Sequence, residues 1–343
     1  GQDVSMELTG ALVFECLRLE RRETVVLMMA KNLARHCSLL CAEGKSVESA
    51  SLMRRMLLLC DEQVFPDFEY EAALRRGFGS LVQEANRRRL LESLPTHCQG
   101  REQEAALFTL LSILGRNQLS ELVRFGADLK VANLRQVVAD VVIQLVGADE
   151  ESLLTLLVTG EDEEAVIPLL ALGRLNTPSC IEECLRRMGD TNATVREASL
   201  RAMRGQQSPR IRQEVLRCLK DEEPSIRIEA LRYLSVYRDR VDLAMVEQVL
   251  LSERLSRFET NEVKAWVVAY GIIGRLGALK LLRSVLEGKV ELAVPLAQTQ
   301  GYCLQAMLSI NSAQAQGALD LLGRKDPEMK FQIARLKAQG RRS

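Results

Sequence analysis

A 31-residue repeat is the feature that most constrains the fold of this chain. The segment from Asp190 to Met203 recurs, with the same order of residue types, from Asp221 to Leu234. In both copies an Asp precedes a β-branched residue and an Arg, and a Leu-Arg pair follows. A fixed period of roughly 20 to 50 residues is typical of chains in which small supersecondary units stack on one another. The sequence therefore predicts a repeat architecture.

Each copy of the repeat predicts two short helices. Ser225 is a suitable N-cap for a helix from Ile226, and Pro209 suits a first helical position, where its missing N–H costs nothing. Apolar residues then recur three or four positions apart, on one face of each helix. Two such helices bury these faces only when neighbours stack on both sides. We predict an all-α fold, an α-solenoid of stacked antiparallel helix pairs.

Composition agrees with helices and limits the kind of partner. Aromatic residues make up only 4 % of the chain, whereas strands draw on aromatic and β-branched residues. Forty-six basic residues balance forty-six acidic ones, so no net charge attracts nucleic acid or an anionic membrane. No run of about 18 uninterrupted apolar residues occurs, and we expect no transmembrane helix. The predicted partner is a protein.

The cysteines predict a reducing compartment and no metal. There are nine, an odd number, scattered through apolar helical patterns, which favours reduced core thiols and a cytoplasmic protein. Residue type alone suggests a zinc site among His36, Cys37, Cys41, Cys60, His97 and Cys98. Buried free cysteine is the commoner fate of such residues. We therefore predict no metal site and no cofactor.

No familiar catalytic motif occurs in the sequence. Neither G-x-S-x-G, H-E-x-x-H nor a P-loop is present, and His36 and His97 are the two histidines that could serve in catalysis. Acidic runs such as 149–151 are more simply solvated loops that lead into helices. We predict that the chain is not an enzyme.

The repeat is clearest for Val195 to Leu234 and fades toward both ends. Weaker copies lie within 101–175 and 260–340, whereas residues 1–100 have helical patterns without visible repetition. We predict an atypical N-terminal helical region, 1–100, of degenerate or capping repeats, and a repeat array, 101–343. The helices expected in the N-terminal region are 5–20, 23–42, 46–61 and 68–92.

The motif V-R-x-x-A/S-L-R-x-M/L, preceded by an Asp, resembles the HEAT-like repeats of the bilin-lyase type. The resemblance implies a curved, right-handed solenoid that serves as an interaction surface. It also implies a structural ladder in which Asp and Arg side chains tie the loops of neighbouring repeats together. The ladder residues are Asp190, Arg196, Asp221 and Arg227. Lys264 stands where the motif has Arg, so an interruption is expected there.

A charged stripe is the candidate binding surface. Glu183 and Arg186 recur one repeat later as Glu214 and Arg217. With regular stacking the four side chains would follow the concave surface, where solenoids usually bind. The alternative is that these i,i+3 pairs only support their own helices, by a few tenths of a kcal/mol.

We predict a non-enzymatic protein–protein interaction scaffold or adaptor that binds a partner on the concave face of residues 177–251. One alternative is an enzyme on a HEAT-like scaffold, similar to bilin lyases or to the HEAT-like alkylpurine DNA glycosylases. That reading requires a pocket with a buried, unpaired acid beside an aromatic wall, for which Trp266 and Tyr270 are the candidates. A regulatory module of a longer chain is the third possibility.

Overall fold

The computed structural model describes residues 13–17, 19–20, 22–61, 68–97, 100–147, 149–159, 162–238 and 241–340. All regular elements in these ranges are α-helices or short 3₁₀-helices, which confirms the predicted all-α class. The chain divides into two compact units, Gly1–Cys184 and Leu185–Ser343. The proposed change from atypical helices to repeats near residue 100 stays a prediction.

The first unit begins with three helices, α2, α3 and α4, that pack on α1. Its helices are α1 (Glu23–Ala42), α2 (Ser46–Asp61), α3 (Phe68–Phe78), α4 (Glu84–His97), α5 (Arg101–Leu111), α6 (Leu119–Asp128), α7 (Ala132–Val146), α8 (Glu150–Thr159), α9 (Val166–Leu175) and α10 (Pro178–Arg187), whose last residues belong to the second unit. The predictions 23–42 and 46–61 are confirmed. The predicted helix 5–20 lies partly outside the described residues.

The predicted single helix 68–92 is wrong. Helix α3 ends at Phe78, a 3₁₀ turn follows at Gly79–Val82, and α4 begins at Glu84. Glycine at 77 lets α3 lie against α1, because a Cβ there would be 2.4 Å from the Cβ of Ala30. The turn then redirects the chain, so that α4 also packs on α1.

Helix α1 has the length and composition of a membrane span, and within the described ranges no other helix does. It has 20 residues, and the mean hydropathy of its most apolar window is 1.2. This is a weak indication, because core helices of globular proteins share these properties, and 44 % of that window is buried in the protein. The absence of a membrane partner stays a prediction.

The second unit repeats a pair of helices. Its elements are α11 (Ala193–Ala202), α12 (Pro209–Cys218), α13 (Pro224–Tyr237), α14 (Val241–Leu250), α15 (Thr260–Gly274), α16 (Leu279–Leu286), α17 (Leu296–Ser309), α18 (Ala313–Lys325) and α19 (Pro327–Gly340). The predicted start of α12 is confirmed, with Pro209 in its first turn and the Ser208 hydroxyl accepting a hydrogen bond from the Ile211 amide at 3.1 Å. The predicted cap at Ser225 is wrong, because α13 begins earlier, at Pro224.

The helices of the second unit form two rows. In the inner row, α11, α13, α15 and α17 each pack on the next. In the outer row, α12, α14 and α16 pack on inner-row helices and have no comparable packing with one another. Helices that lie closer together are on the inside of a curve. We therefore infer that the inner row forms the concave face of this unit.

Small residues permit the close packing of the inner row. A Cβ at Gly271 on α15 would be 2.7 Å from the carbonyl oxygen of Ala306 on α17. Large side chains fill the core of the unit, and Tyr233, Trp266 and Tyr270 are almost fully buried. The close approach of α15 and α17 thus depends on a glycine at this position.

Replacing Gly271 with Ala should destabilise the second unit. Its Cβ would meet backbone atoms of α17, and overpacking of this kind costs about 1–3 kcal/mol. Gly301 on α17 is the matched control, since a Cβ there has no atom within 4 Å. Gly301→Ala should be neutral or stabilising by up to about 1 kcal/mol. Urea unfolding followed by the fluorescence of Trp266, the single tryptophan, measures both. Equal effects of the two substitutions would contradict the close approach.

Candidate functional site

Arg196 ties two successive loops of the second unit together. Its Nε and Nη2 donate hydrogen bonds to the two carboxylate oxygens of Asp221 at 3.0 and 2.9 Å. Its Nη1 donates to the carbonyl oxygens of Asp190 and Thr191 at 2.9 and 3.0 Å. The side chain is only 9 % exposed. One guanidinium therefore closes the loop before α11 and holds the loop before α13, a use of its fixed fork of donors.

Arg227 repeats this arrangement with a different acid. Its Nη1 donates to the carbonyl oxygens of Asp221 and Glu222 at 2.6 and 2.7 Å. Its Nε and Nη2 each donate to Glu262, in the first turn of α15, at 2.6 Å. Glu262 is 1 % exposed and also accepts a hydrogen bond from the Trp266 indole at 3.2 Å. Arg227 thus pairs with a helical glutamate 35 residues further along the chain, whereas Arg196 pairs with an aspartate in a loop.

The remaining ladder positions differ from these two. Asp190 accepts hydrogen bonds from Arg187 and from the Asn192 amide, both at 2.9 Å. In the first unit, Arg135 donates to the carbonyl oxygen six residues before it, that of Leu129, at 2.6 Å. Arg196 and Arg227 use the same spacing, so the weak copy at residue 135 closes its loop in the same way. Lys264 is exposed and, within the described part of the chain, has no ion-pair partner.

One half of the predicted charged stripe lies on a helix of the outer row. Glu214 and Arg217 form an ion pair at 2.7 Å on α12, a helix of the outer row. Glu183 and Arg186 lie on α10, half-buried and exposed respectively. Glu214 and Arg217 therefore pair with each other along their own helix, outside the concave face. A role of these four residues in binding stays a prediction.

An open cavity of about 540 Å³ lies on the inner face instead. It is formed by α13 and α15, with Gln305 from α17. Its apolar lining consists of Ile228, Leu231, Ala265, Val268, Ala269 and Ile272. Its polar lining consists of Arg232, Ser235, Asn261, Lys264 and Gln305. This site was not predicted from the sequence, although one copy of the Leu-Arg pair that recurs in the motif, Leu231-Arg232, lies in it.

Three arginines beside the cavity share one buried carboxylate. Glu229 on α13 is fully buried and forms ion pairs with Arg204, with Arg232 at 3.2 Å and with Arg201 at 3.9 Å. Burial lowers the pKa of the Arg201 guanidinium, and repulsion from Arg204 and Arg232 adds to this shift. Arg201 also forms an ion pair with Glu197 at 3.8 Å, so two carboxylates face three guanidinium groups. One excess positive charge therefore remains on this part of the inner face.

The buried acids of the second unit are paired with arginines. Among the described residues, Glu229, Asp242 and Glu262 are its fully or almost fully buried carboxylates, and each has an arginine partner. Trp266 and Tyr270 are buried outside the cavity lining, and the Tyr270 hydroxyl donates to Glu247 at 2.6 Å. The arrangement that would favour the enzyme alternative, an unpaired buried acid beside these aromatics, is therefore not found in the described second unit.

Two of the cysteine candidates for zinc lie in the core of the first unit. Cys37 and Cys41 are buried on α1, and burial raises the pKa of the Cys37 thiol to about 12. Zinc requires the thiolate, which such burial disfavours. The described residues contain no group of three or more His, Cys, Asp or Glu side chains that could hold a metal. Cys98 lies outside the described residues, and the side chains of Cys60 and His97 are not described either.

Residues 181–265 match the family model for HEAT repeats. This segment contains both arginine forks and most of the cavity lining. We identify it as a HEAT-repeat segment. The HEAT-like architecture predicted from the Asp and Arg motif is confirmed there. The comparison with curated proteins gives no match. A crystal structure of an engineered protein aligns with 96 % of this chain and 98 % of its own, at 14 % identity and a TM-score of 0.37, a similarity too low to support a conclusion.

The Arg227–Glu262 pair should show strong coupling in a double-mutant cycle. Arg227→Met alone leaves a buried carboxylate without its partner, which costs about 3–5 kcal/mol of unfolding free energy. Adding Glu262→Leu should recover part of this loss, since no charge is then left buried. Arg217→Met, at the exposed pair on α12, is the control and should cost at most about 1 kcal/mol. Denaturant unfolding followed by circular dichroism measures all three. Additive effects at Arg227 and Glu262 would refute the coupling.

Cys303 should make stability fall at alkaline pH. Burial raises the pKa of this thiol to about 12 in the folded protein, so it stays protonated above pH 9 while the thiol of the unfolded chain ionises. The unfolded state is thereby favoured, by at most about 1.4 kcal/mol per pH unit between roughly pH 9 and 12. The unfolding free energy of wild type relative to Cys303→Ala should therefore decrease over this range. A difference that is independent of pH would show that Cys303 is not buried as a neutral thiol.

Proposed function

We propose that this chain is a non-enzymatic scaffold or adaptor that binds a partner protein on the inner face of its second unit. The observation that carries the proposal is the open cavity between α13 and α15, which combines an apolar lining with exposed cationic side chains. HEAT repeats, present in 181–265, commonly serve as protein-binding surfaces. Solenoids generally present such surfaces on the concave side, which here is the inner row.

The shape and composition of the cavity favour a protein over a small molecule or a nucleic acid. It is open along the inner row and does not enclose a ligand, whereas small-molecule sites usually bury most of their ligand. Its lining contains no aromatic side chain on which a base could stack. Apolar contact with a cationic border suits a protein segment. A protein partner and a cytoplasmic location are part of this proposal.

A single substitution in the cavity should abolish partner capture. Val268→Glu replaces an apolar side chain of the lining with a charged one, and the new carboxylate lies one helical turn from Lys264, with which it can pair. A partner would then lose an apolar contact and part of the cationic border, so the yield of a specifically captured protein should fall by about tenfold or more. The experiment is affinity capture from a lysate of the source cells after nuclease treatment, quantified by mass spectrometry. Circular dichroism verifies that the variant is folded.

Charge reversal on the outer row is the control for this capture. Arg217→Glu, and Arg186→Glu on α10, should leave the captured protein unchanged if the inner face binds it. Loss of capture in these variants but not in Val268→Glu would move the site to the stripe predicted from the sequence. Recovery of nucleic acid in place of a protein would overturn the scaffold proposal.

A further inference from the structure

We propose that the partner segment bound in the cavity is an acidic, amphipathic helix. This inference rests on the proposed function and specifies the chemistry of its ligand. Three observations point to it, namely the charge of the cavity border, the identity of residue 264, and the direction of the apolar lining.

The border of the cavity is cationic. Arg232 and Lys264 both line it, the Arg232 side chain is 58 % exposed, and the described lining includes no carboxylate. Arg204, 36 % exposed, lies beside Arg232 because both form ion pairs with the buried Glu229. A carboxylate placed between these two guanidinium groups would relieve the excess of positive charge around Glu229. An acidic ligand is therefore electrostatically complementary to this surface.

Lys264 stands at the ladder position of its repeat but acts differently. The arginines at the equivalent positions, Arg196 and Arg227, are less than a tenth exposed and bond to loop carbonyls and a carboxylate. Lys264 is exposed, lines the cavity and, as far as the chain is described, has no ion pair. A lysine ammonium is a point charge without a fixed fork, so it cannot replace the ladder but can bind an incoming carboxylate.

The apolar lining runs along the helices. On α13 it includes Ile228 and Leu231, followed by Ser235, and on α15 it includes Ala265, Val268 and Ile272. Positions i, i+3 and i+7 lie on one face of a helix, so the lining extends for about 10 Å. A ligand helix with apolar residues at the same spacing matches this groove, as in other helix-in-groove complexes.

A helix suits this groove better than an extended strand does. The backbone hydrogen bonds of α13 and α15 are made within each helix, so their lining presents side chains and no free row of backbone donors. An extended peptide gains much of its affinity from backbone pairing at a sheet edge, which is absent in the described lining. A ligand helix satisfies its own backbone and needs only side-chain contacts.

The test uses three labelled peptides of 18 residues with the same leucines at helical spacing. Their remaining surface positions are Glu, Gln or Lys, and binding to the full chain is measured by fluorescence anisotropy. The Glu peptide should bind about tenfold more tightly than the Gln peptide, and the Lys peptide more weakly than either. The advantage of the Glu peptide should decrease as the salt concentration is raised from about 50 to about 500 mM, because salt screens the attraction between exposed charges.

A matched pair of charge reversals locates the binding. Lys264→Glu should weaken the Glu peptide by about tenfold and reverse the preference toward the Lys peptide. Lys280→Glu makes the same change at an exposed lysine on α16 of the outer row and should have no effect. Equal binding of the Glu and Gln peptides, or equal effects of the two reversals, would overturn the inference.

The outcomes separate this inference from the proposed function. If Val268→Glu abolishes protein capture but the Glu peptide has no advantage, the scaffold stands and the acidic helix is rejected. If the peptides behave as expected but Val268→Glu leaves protein capture intact, the cavity binds acidic helices but is not the site of the captured partner, and the proposed function fails.

Discussion

The second unit depends on buried arginine side chains that hold successive loops at a fixed separation. A buried ion pair is costly to desolvate, and it is tolerated where further hydrogen bonds satisfy the remaining polar atoms. Arg196 and Arg227 meet this condition, because each donates to two carbonyl oxygens of its own loop and to both oxygens of a carboxylate in the next repeat. The contacts therefore fix the geometry of each loop and the offset between repeats together.

The cavity is a consequence of that spacing. Arg227 joins the loop before α13 to Glu262 in the first turn of α15, and the neighbouring residues Ile228 and Asn261 line the cavity between the same helices. A little further along α15, Gly271 permits close approach to α17. The ion pair thus sets the separation of α13 and α15 at one end of the groove, and the glycine contact holds α17, which contributes Gln305, close to α15. Local changes at either place should alter the surface without touching its lining.

Net charge describes this chain poorly. Basic and acidic residues are equal in number, yet they are distributed unevenly over the second unit. On α12, Glu214 and Arg217 neutralise each other on the surface. On the inner face, arginines gather around Glu229, and Lys264 is added at the border of the cavity. Association with a charged partner depends on this local field, which a sum over the chain cannot reveal.

By itself the sequence determined the features that depend on local spacing. The apolar periodicity predicted helices 23–42 and 46–61 with their observed bounds, and the Asp and Arg motif predicted HEAT-like repeats. Only the tertiary structure decided the break at Phe78–Glu84, the pairing of Arg227 with Glu262, and which helices pack into a continuous inner row. Each of these follows from contacts between residues far apart in the chain. Helical periodicity indicates which face of a helix is apolar. How closely two helices approach depends on contacts between residues far apart in the sequence, and a local pattern does not show which residues these are.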